Sequence, residues 1–224
     1  MSPTPTVLPQ LPLFPLQTVL FPGGRLPLRI FEVRYLDMIG RCDKAGEPFG
    51  VVCLSAGSEV RRPATGDAPG GDGFAHEAFH PVGTLARIVR LERPQAGLMM
   101  IECIGTQRFR LRRSEHRAFG LWVGEVELFD DEPALPVPDD LAFTRQAIQD
   151  VVRNVERSGE SGVELPLRPP YRWEDCGWLA NRWCELLPLP AAQKQSLMAL
   201  DSPVLRLELV ADVLAQMGVV APRG

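Results

Sequence analysis

The segment Asp130–Asp140 (DDEPALPVPDD) divides the chain into two halves whose apolar periods differ. Its carboxylates, together with Pro133, Pro136 and Pro138, suit neither a helix interior nor a strand interior, so it reads as a linker. Before it, apolar residues alternate. After it, they recur every three or four positions. A side-chain period of two belongs to strands and one of 3.6 to helices, so the two halves build different kinds of layer.

In the first half, Leu11 to Leu16 and then Leu26, Leu28 and Ile30 alternate around proline and glycine, as extended edge-type segments do. Val33, Leu36 and Ile39 stand at helical spacing and predict a short helix over about 32–42. Phe49 to Leu54 is a continuous apolar run short enough for a buried strand. Residues 61–73 (RRPATGDAPGGDG) have the composition of a loop. Further strands are predicted over Val82–Leu91, Leu98–Leu111 and Phe119–Phe129. In the last, Phe119, Leu121 and Val123 hold one parity and Val126 and Leu128 the other, as a β-bulge at Gly124 would produce. Bulges bend strands, which favours a compact antiparallel β-barrel.

The second half predicts helices. Phe143, Ile148, Val151, Val152 and Val155 pattern residues 140–157; Leu179, Trp183 and Leu186 pattern 173–187, which Pro188 ends. A short helix follows over 191–200. Ser202-Pro203 supplies an N-cap and a first-turn proline for a last helix striped by Leu205, Leu209, Val213 and Met217, up to Gly218. The expected fold class is α+β (mixed): a β-barrel over residues 1–129, a linker over 130–140 and a helical bundle over 141–224.

At 224 residues and 45% hydrophobic, such a chain forms a core without disulfides or metal. Residues 1–24 carry no charge, yet Pro3, Pro5, Pro9, Pro12, Pro15 and Pro22 break helix continuity, and no basic stretch precedes the apolar one. No membrane association is expected. Cys42, Cys53, Cys103, Cys176 and Cys184 contain no CxxC pair and read as reduced, buried thiols of a cytoplasmic protein.

LPLFPLQTVLFPGGRLPLRIFEVRYLDMI (11–39) resembles the opening of the substrate-binding domain of Lon-type ATP-dependent proteases. VGTLARIVRLERP (82–94) and IGTQRFRL (104–111) are similar to that family's central strands, and LPLPAAQKQSLMALDSPVLRLELVADVL (187–214) to its C-terminal helices. The resemblance covers nearly the whole chain in order. It implies a PUA-like barrel followed by a helical bundle, and recruitment of unfolded or tagged polypeptides, with a protease or chaperone as a further partner. The family's catalytic parts are expected to be absent. Only Lys44 and Lys194 are lysines, and neither stands in the GxxxxGK[ST] loop that an ATPase needs. The chain is also too short to carry the Ser–Lys protease domain after its helices. No enzyme activity and no cofactor are expected.

Three other patterns carry chemistry. His76-Glu77-Ala78-Phe79-His80 fits the zinc-protease sequence HExxH, which needs both histidines one helical turn apart. Upstream glycines, Pro81, a following strand and Ala86 at the third ligand position of the longer motif make it a chance match. Arg108, Arg110 and Arg112 alternate with Phe109 and Leu111, followed by Arg113, so a strand would line them up on one solvent face. Such a face offers RNA binding as the alternative function, against an ordinary polar surface paired with carboxylates. Residues 1–118 hold 15 basic and 11 acidic side chains, against 9 and 17 in 119–224. Cys176 and Cys184 lie about 80° apart on one predicted helix and read as core thiols; no GxSxG elbow exists.

The leading expectation is a non-catalytic polypeptide-recognition module that uses an apolar groove or an exposed sheet edge. Its candidate residues are Phe14, Phe21, Phe31, Glu32, Arg34 and Tyr35. Each has a structural reading as well: Glu32 at a helix start, Arg34 pairing nearby, and Phe14, Phe21, Phe31 and Tyr35 as mainly core residues, some of which could line a groove.

Overall fold

In the computed structural model, which describes residues 5–59, 77–117, 120–158, 165 and 167–219, the N-terminal half is built on one sheet. Its strands are β1 (Val7–Leu16), β2 (Arg25–Ile30), β3 (Phe49–Ala56), β4 (Ala78–Gln95), β5 (Leu98–His116) and β6 (Trp122–Leu128). Helix α1 (Val33–Ala45) lies between β2 and β3 in sequence. The strand order is β2-β5-β4-β3-β1-β6, and β6 pairs with β5 as well as with β1. Five strands are thus linked in a ring of pairings, while β2 pairs with the N-terminal part of β5.

One ladder departs from the expected antiparallel pairing. β1 and β3 run parallel, with Leu13 opposite Gly50 and Leu16 opposite Cys53. Parallel neighbours need a crossover connection, and β2 with α1 supplies it.

Glu32 is the N-cap of α1, in extended conformation, and Gly46 ends the helix at a φ of 68°. The buried face carries Tyr35, Met38, Ile39 and Cys42, an i, i+3, i+4, i+7 set. Val33, expected on that face, is 79% exposed. A run of i+3 steps drifts by about 60° each time, so Val33 and Ile39 cannot share one face.

The core of this half has two parts. Phe14 and Leu16 of β1 and Phe49 and Val51 of β3 meet the buried face of α1. Leu11, Leu13 and Val52 form the second part with Leu85, Phe109 and Val126. Residues of both parities are therefore buried along β1 and β3, which explains their unbroken apolar runs. A Cβ at Gly50 would lie 2.8 Å from Leu11 and Leu13 and 2.9 Å from Phe109, so any larger residue there would force those core side chains to shift.

The expected slip of parity at Gly124 is also corrected. β6 is regular, with Trp122, Val126 and Leu128 on the face of the second core part. The irregularities lie on its neighbours, between Leu8 and Leu11 of β1 and between Leu111 and Arg113 of β5. Val123 is buried on the opposite face. At Gly124, a Cβ would come within 2.6 Å of Leu111 and 3.0 Å of Leu13.

The chain divides into two compact units, Met1–Asp130 with Ala191–Gln195, and Asp131–Pro190 with Ser196–Gly224. Its helices after the sheet are α2 (Ala142–Ser158), α3 (Cys176–Leu186), α4 (Ala191–Met198) and α5 (Pro203–Gln216). Asp175 caps α3 by accepting from the Gly177 and Trp178 N–H groups, and Ser202 caps α5 by accepting from Leu205. In the second unit, α3 buries Cys176, Leu179, Trp183 and Cys184, and α5 buries Leu207, Val210, Ala211 and Leu214. Trp183 Nε1 donates to the Thr144 carbonyl of α2 at 3.0 Å.

The predicted stripe of α5 is its outer side, with Leu205 42%, Leu209 39% and Met217 55% exposed. α5 is apolar on two stripes, and Arg206 disguises the inner one. That guanidinium is buried, donating to both Glu132 oxygens (3.1 and 2.8 Å), to Asn181 Oδ1 (3.0 Å) and to the Leu197 and Leu200 carbonyls.

Candidate functional site

The turn from β2 into α1 sets two apolar side chains outward, on either side of the cap residue. Phe31 is 54% exposed and Val33 79%. Glu32 and Arg34 between and after them are held in place. Arg34 Nε donates to Glu32 Oε2 at 3.1 Å, and its Nη1 donates to the Gly120 carbonyl at 2.8 Å. Arg34 Nη2 lies 4.0 Å from Glu77 Oε1, whose other oxygen accepts from Trp122 Nε1 at 2.6 Å. The guanidinium also sits over the Tyr35 ring, which stacks on Phe14 at 4.1 Å between centroids. Arg34 therefore fixes the start of α1 to the turn before β6. Its structural reading is the one the geometry supports.

A hollow flanks each exposed side chain, both within the first unit. The smaller, about 170 Å³, lies along β2 and is walled by Phe14, Leu16, Leu28, Ile30, Phe31 and Tyr35. β2 is the end strand of the sheet order, so its outer backbone edge has no strand partner among the described residues. The larger, about 700 Å³, lies between the start of α1 and the β1–β6 ladder. Pro12, Val33, Leu121 and Val123 give it an apolar lining, and Arg34, Asp37, Arg41 and Arg117 give it charge.

Five of the six candidate recognition residues converge here. Phe14, Phe31, Glu32 and Tyr35 line the smaller hollow and Arg34 the larger. Phe21 does not. It is fully buried and lines neither hollow, because the apolar run that carries it packs into the interior. Val33, Leu121 and Val123 also line the larger hollow and were not among the candidates. Their apolar character gave a core signal, which holds for the buried Leu121 and Val123, whereas Val33 is exposed.

The arginine face is corrected. Arg108 is 7% exposed, and Arg108 and Arg110 lie 4.8 and 5.1 Å from the Phe129 ring centre. Arg112 is the extra residue in the β5 bulge, where its Nε donates to Glu127 at 2.7 Å. The bulge gives the next ladder position to Arg113, opposite Glu125. The three arginines thus do not form one solvent face.

His80 lies in β4 and Glu77 immediately before it, so this part of the HExxH sequence is strand rather than helix. His76 lies outside the described residues. Ala86 is fully buried in the core. Among the described residues, no group of three or more His, Cys, Asp and Glu stands close enough to hold a metal. All five cysteines are free and buried. Burial, and then Glu102 and Cys42, push the Cys103 thiol up to about 12; burial and then Asp175 push Cys176 up to about 11. Both stay protonated at neutral pH and are poor nucleophiles.

The chain matches the family of ATP-dependent protease La (LON) substrate-binding domains over residues 10–216, and it belongs to that family. It is 27% identical over 206 residues to the Lon protease of Paraburkholderia phytofirmans, a match covering 88% of this chain and 23% of that protein. The chain thus spans about a quarter of this curated relative. Among solved structures, the Lon N-terminal domain protein from Xanthomonas campestris superposes with a TM-score of 0.68 at 29% identity, covering 93% of this chain and 98% of the other. The N-terminal domain of the Mycobacterium avium complex Lon protease gives 0.58 at 16% identity, covering 92% and 98%, and shares the fold. No described helix is long and apolar enough to cross a membrane.

Proposed function

We propose that this chain is a non-catalytic recognition module for unfolded or tagged polypeptides, acting through the surface around Phe31 and Val33. The observation that carries the reading is the placement of these two exposed apolar side chains between two hollows, beside the edge of β2 that has no strand partner among the described residues. Large apolar groups at the centre of a concave surface are the usual anchors of binding, and an open strand edge offers backbone hydrogen bonds to an extended chain. Family membership supports the same class, since the matching domain is described as substrate-binding. In this reading the recognition surface belongs to residues 1–129, joined through 130–140 to a helical part over 141–224. Free, buried cysteines suit a reducing compartment such as the cytoplasm. Nucleic-acid binding has weaker support, because Arg108 is buried and Arg112 is held by Glu127.

The test is fluorescence anisotropy with a labelled, permanently unfolded polypeptide, comparing the wild type with Phe31→Ser/Val33→Ser. Both side chains are exposed, so the variant keeps its fold. Loss of two such anchors weakens binding about tenfold or more. Unchanged affinity in the variant would refute the assigned surface.

A further inference from the structure

Where β2, β5 and β4 lie side by side, Leu28, Ile101 and Leu91 face the first core part. Side chains alternate along a strand, and residues opposite one another share a face. The outward face of these strands therefore carries three rows: Arg29–Met100–Glu92, Pro27–Glu102–Arg90 and Arg25–Ile104–Arg87. Arg25 pairs with Glu102 and Arg90 with Glu92, which uses both carboxylates of the face. Arg29 and Arg87, at opposite corners, are exposed and have no ion-pair partner among the described residues. Met100 between them is 40% exposed. The outer side of α5 has the converse chemistry. At 100° per residue, Leu205, Glu208, Leu209 and Asp212 fall within an arc of about 100°. All four are exposed, and neither carboxylate has an ion-pair partner among the described residues. The one basic residue of α5 is the buried Arg206, so nothing on the helix neutralises them.

We infer that the chain associates head-to-tail with a second copy of itself, the outer side of α5 in one copy lying across the outward face of β2, β5 and β4 in the next. Leu205 and Leu209 cover Met100, while Glu208 and Asp212 supply the carboxylates that Arg29 and Arg87 lack. The sizes agree: Leu205 to Asp212 rises about 10 Å along the helix, and three neighbouring strands span about 10 Å. Both halves of the match lie on one chain, so a second copy carries the partner chemistry in full. The contact joins unlike surfaces, so it extends into a ring or a filament rather than closing as a symmetric pair. This association stands whether or not the chain recognises unfolded polypeptides.

Sedimentation equilibrium of the full chain tests it. At low salt the weight-average mass is expected to rise above 24.8 kDa between about 5 and 500 µM protein, and to fall back toward it at high salt. Arg29→Glu/Arg87→Glu and Glu208→Arg/Asp212→Arg change exposed positions only, and each leaves a chain with two like-charged faces. Either variant alone stays at the monomer mass. An equimolar mixture of the two associates again, because the altered face of one matches the altered face of the other. A wild type that stays monomeric overturns the inference, even where an added acidic amphipathic peptide binds the sheet face. So does a variant that associates alone as the wild type does, or a mixture that stays monomeric.

Discussion

Arg34 and Arg206 show how differently two arginines can be used when their environments differ. Arg34 reaches Glu32, Gly120 and Glu77, three points that are distant in sequence, and closes one wall of the larger hollow. Arg206 serves only the interior of the second unit, where five acceptors surround its guanidinium. Truncating it removes the guanidinium donor from Glu132, Asn181 and the Leu197 and Leu200 carbonyls at once. Arg206→Ala is therefore expected to cost about 3–5 kcal/mol in urea unfolding, far more than an exposed arginine would. A loss below about 1 kcal/mol would show that the network carries little. Neither arginine is recognisable as buried from its own sequence position. A charged residue on an apolar helix reads as a solvent marker, and its partner Glu132 lies in a linker-like segment.

At the scale of elements, the sequence was most informative where local chemistry decides the structure. The Ser202-Pro203 start of α5 is present as read, because a hydroxyl acceptor and a first-turn proline act within a few residues. Asp175 does the same for α3, with a further ion pair to Arg172 at 2.5 Å. Asp175→Ala is expected to lower stability by about 1–2 kcal/mol, read from the shift in thermal midpoint. A variant of unchanged midpoint would mean that water replaces the cap. Features set by partners were not legible. The parity of β6 looked broken because both faces of that strand carry apolar residues, and the bulges belong to β1 and β5. The parallel β1–β3 ladder likewise depends on where the chain returns after α1. For the same reason Val33 was placed on the buried face of α1, and Phe21, a core candidate that could also line a groove, proves to be core alone: periodicity ranks faces without saying what covers them.

For the whole molecule, the two periods on either side of 130–140 correspond to a sheet-based half and a helical half, and the family match runs through both. The fold was readable because four ordered motifs span it. The site was readable only in part, because recognition depends on which apolar side chains remain outside once the core is filled. Phe31 and Val33 are such residues, and the proposed recognition surface is built on them. The most direct test places a photo-crosslinking residue at position 33 and exposes the full chain to a denatured polypeptide and to its native form. The account predicts crosslinks to the denatured chain alone, with the same residue at exposed position 209 of α5 giving none above background. Equal crosslinking of native and denatured forms, or equal yields at both positions, would contradict it.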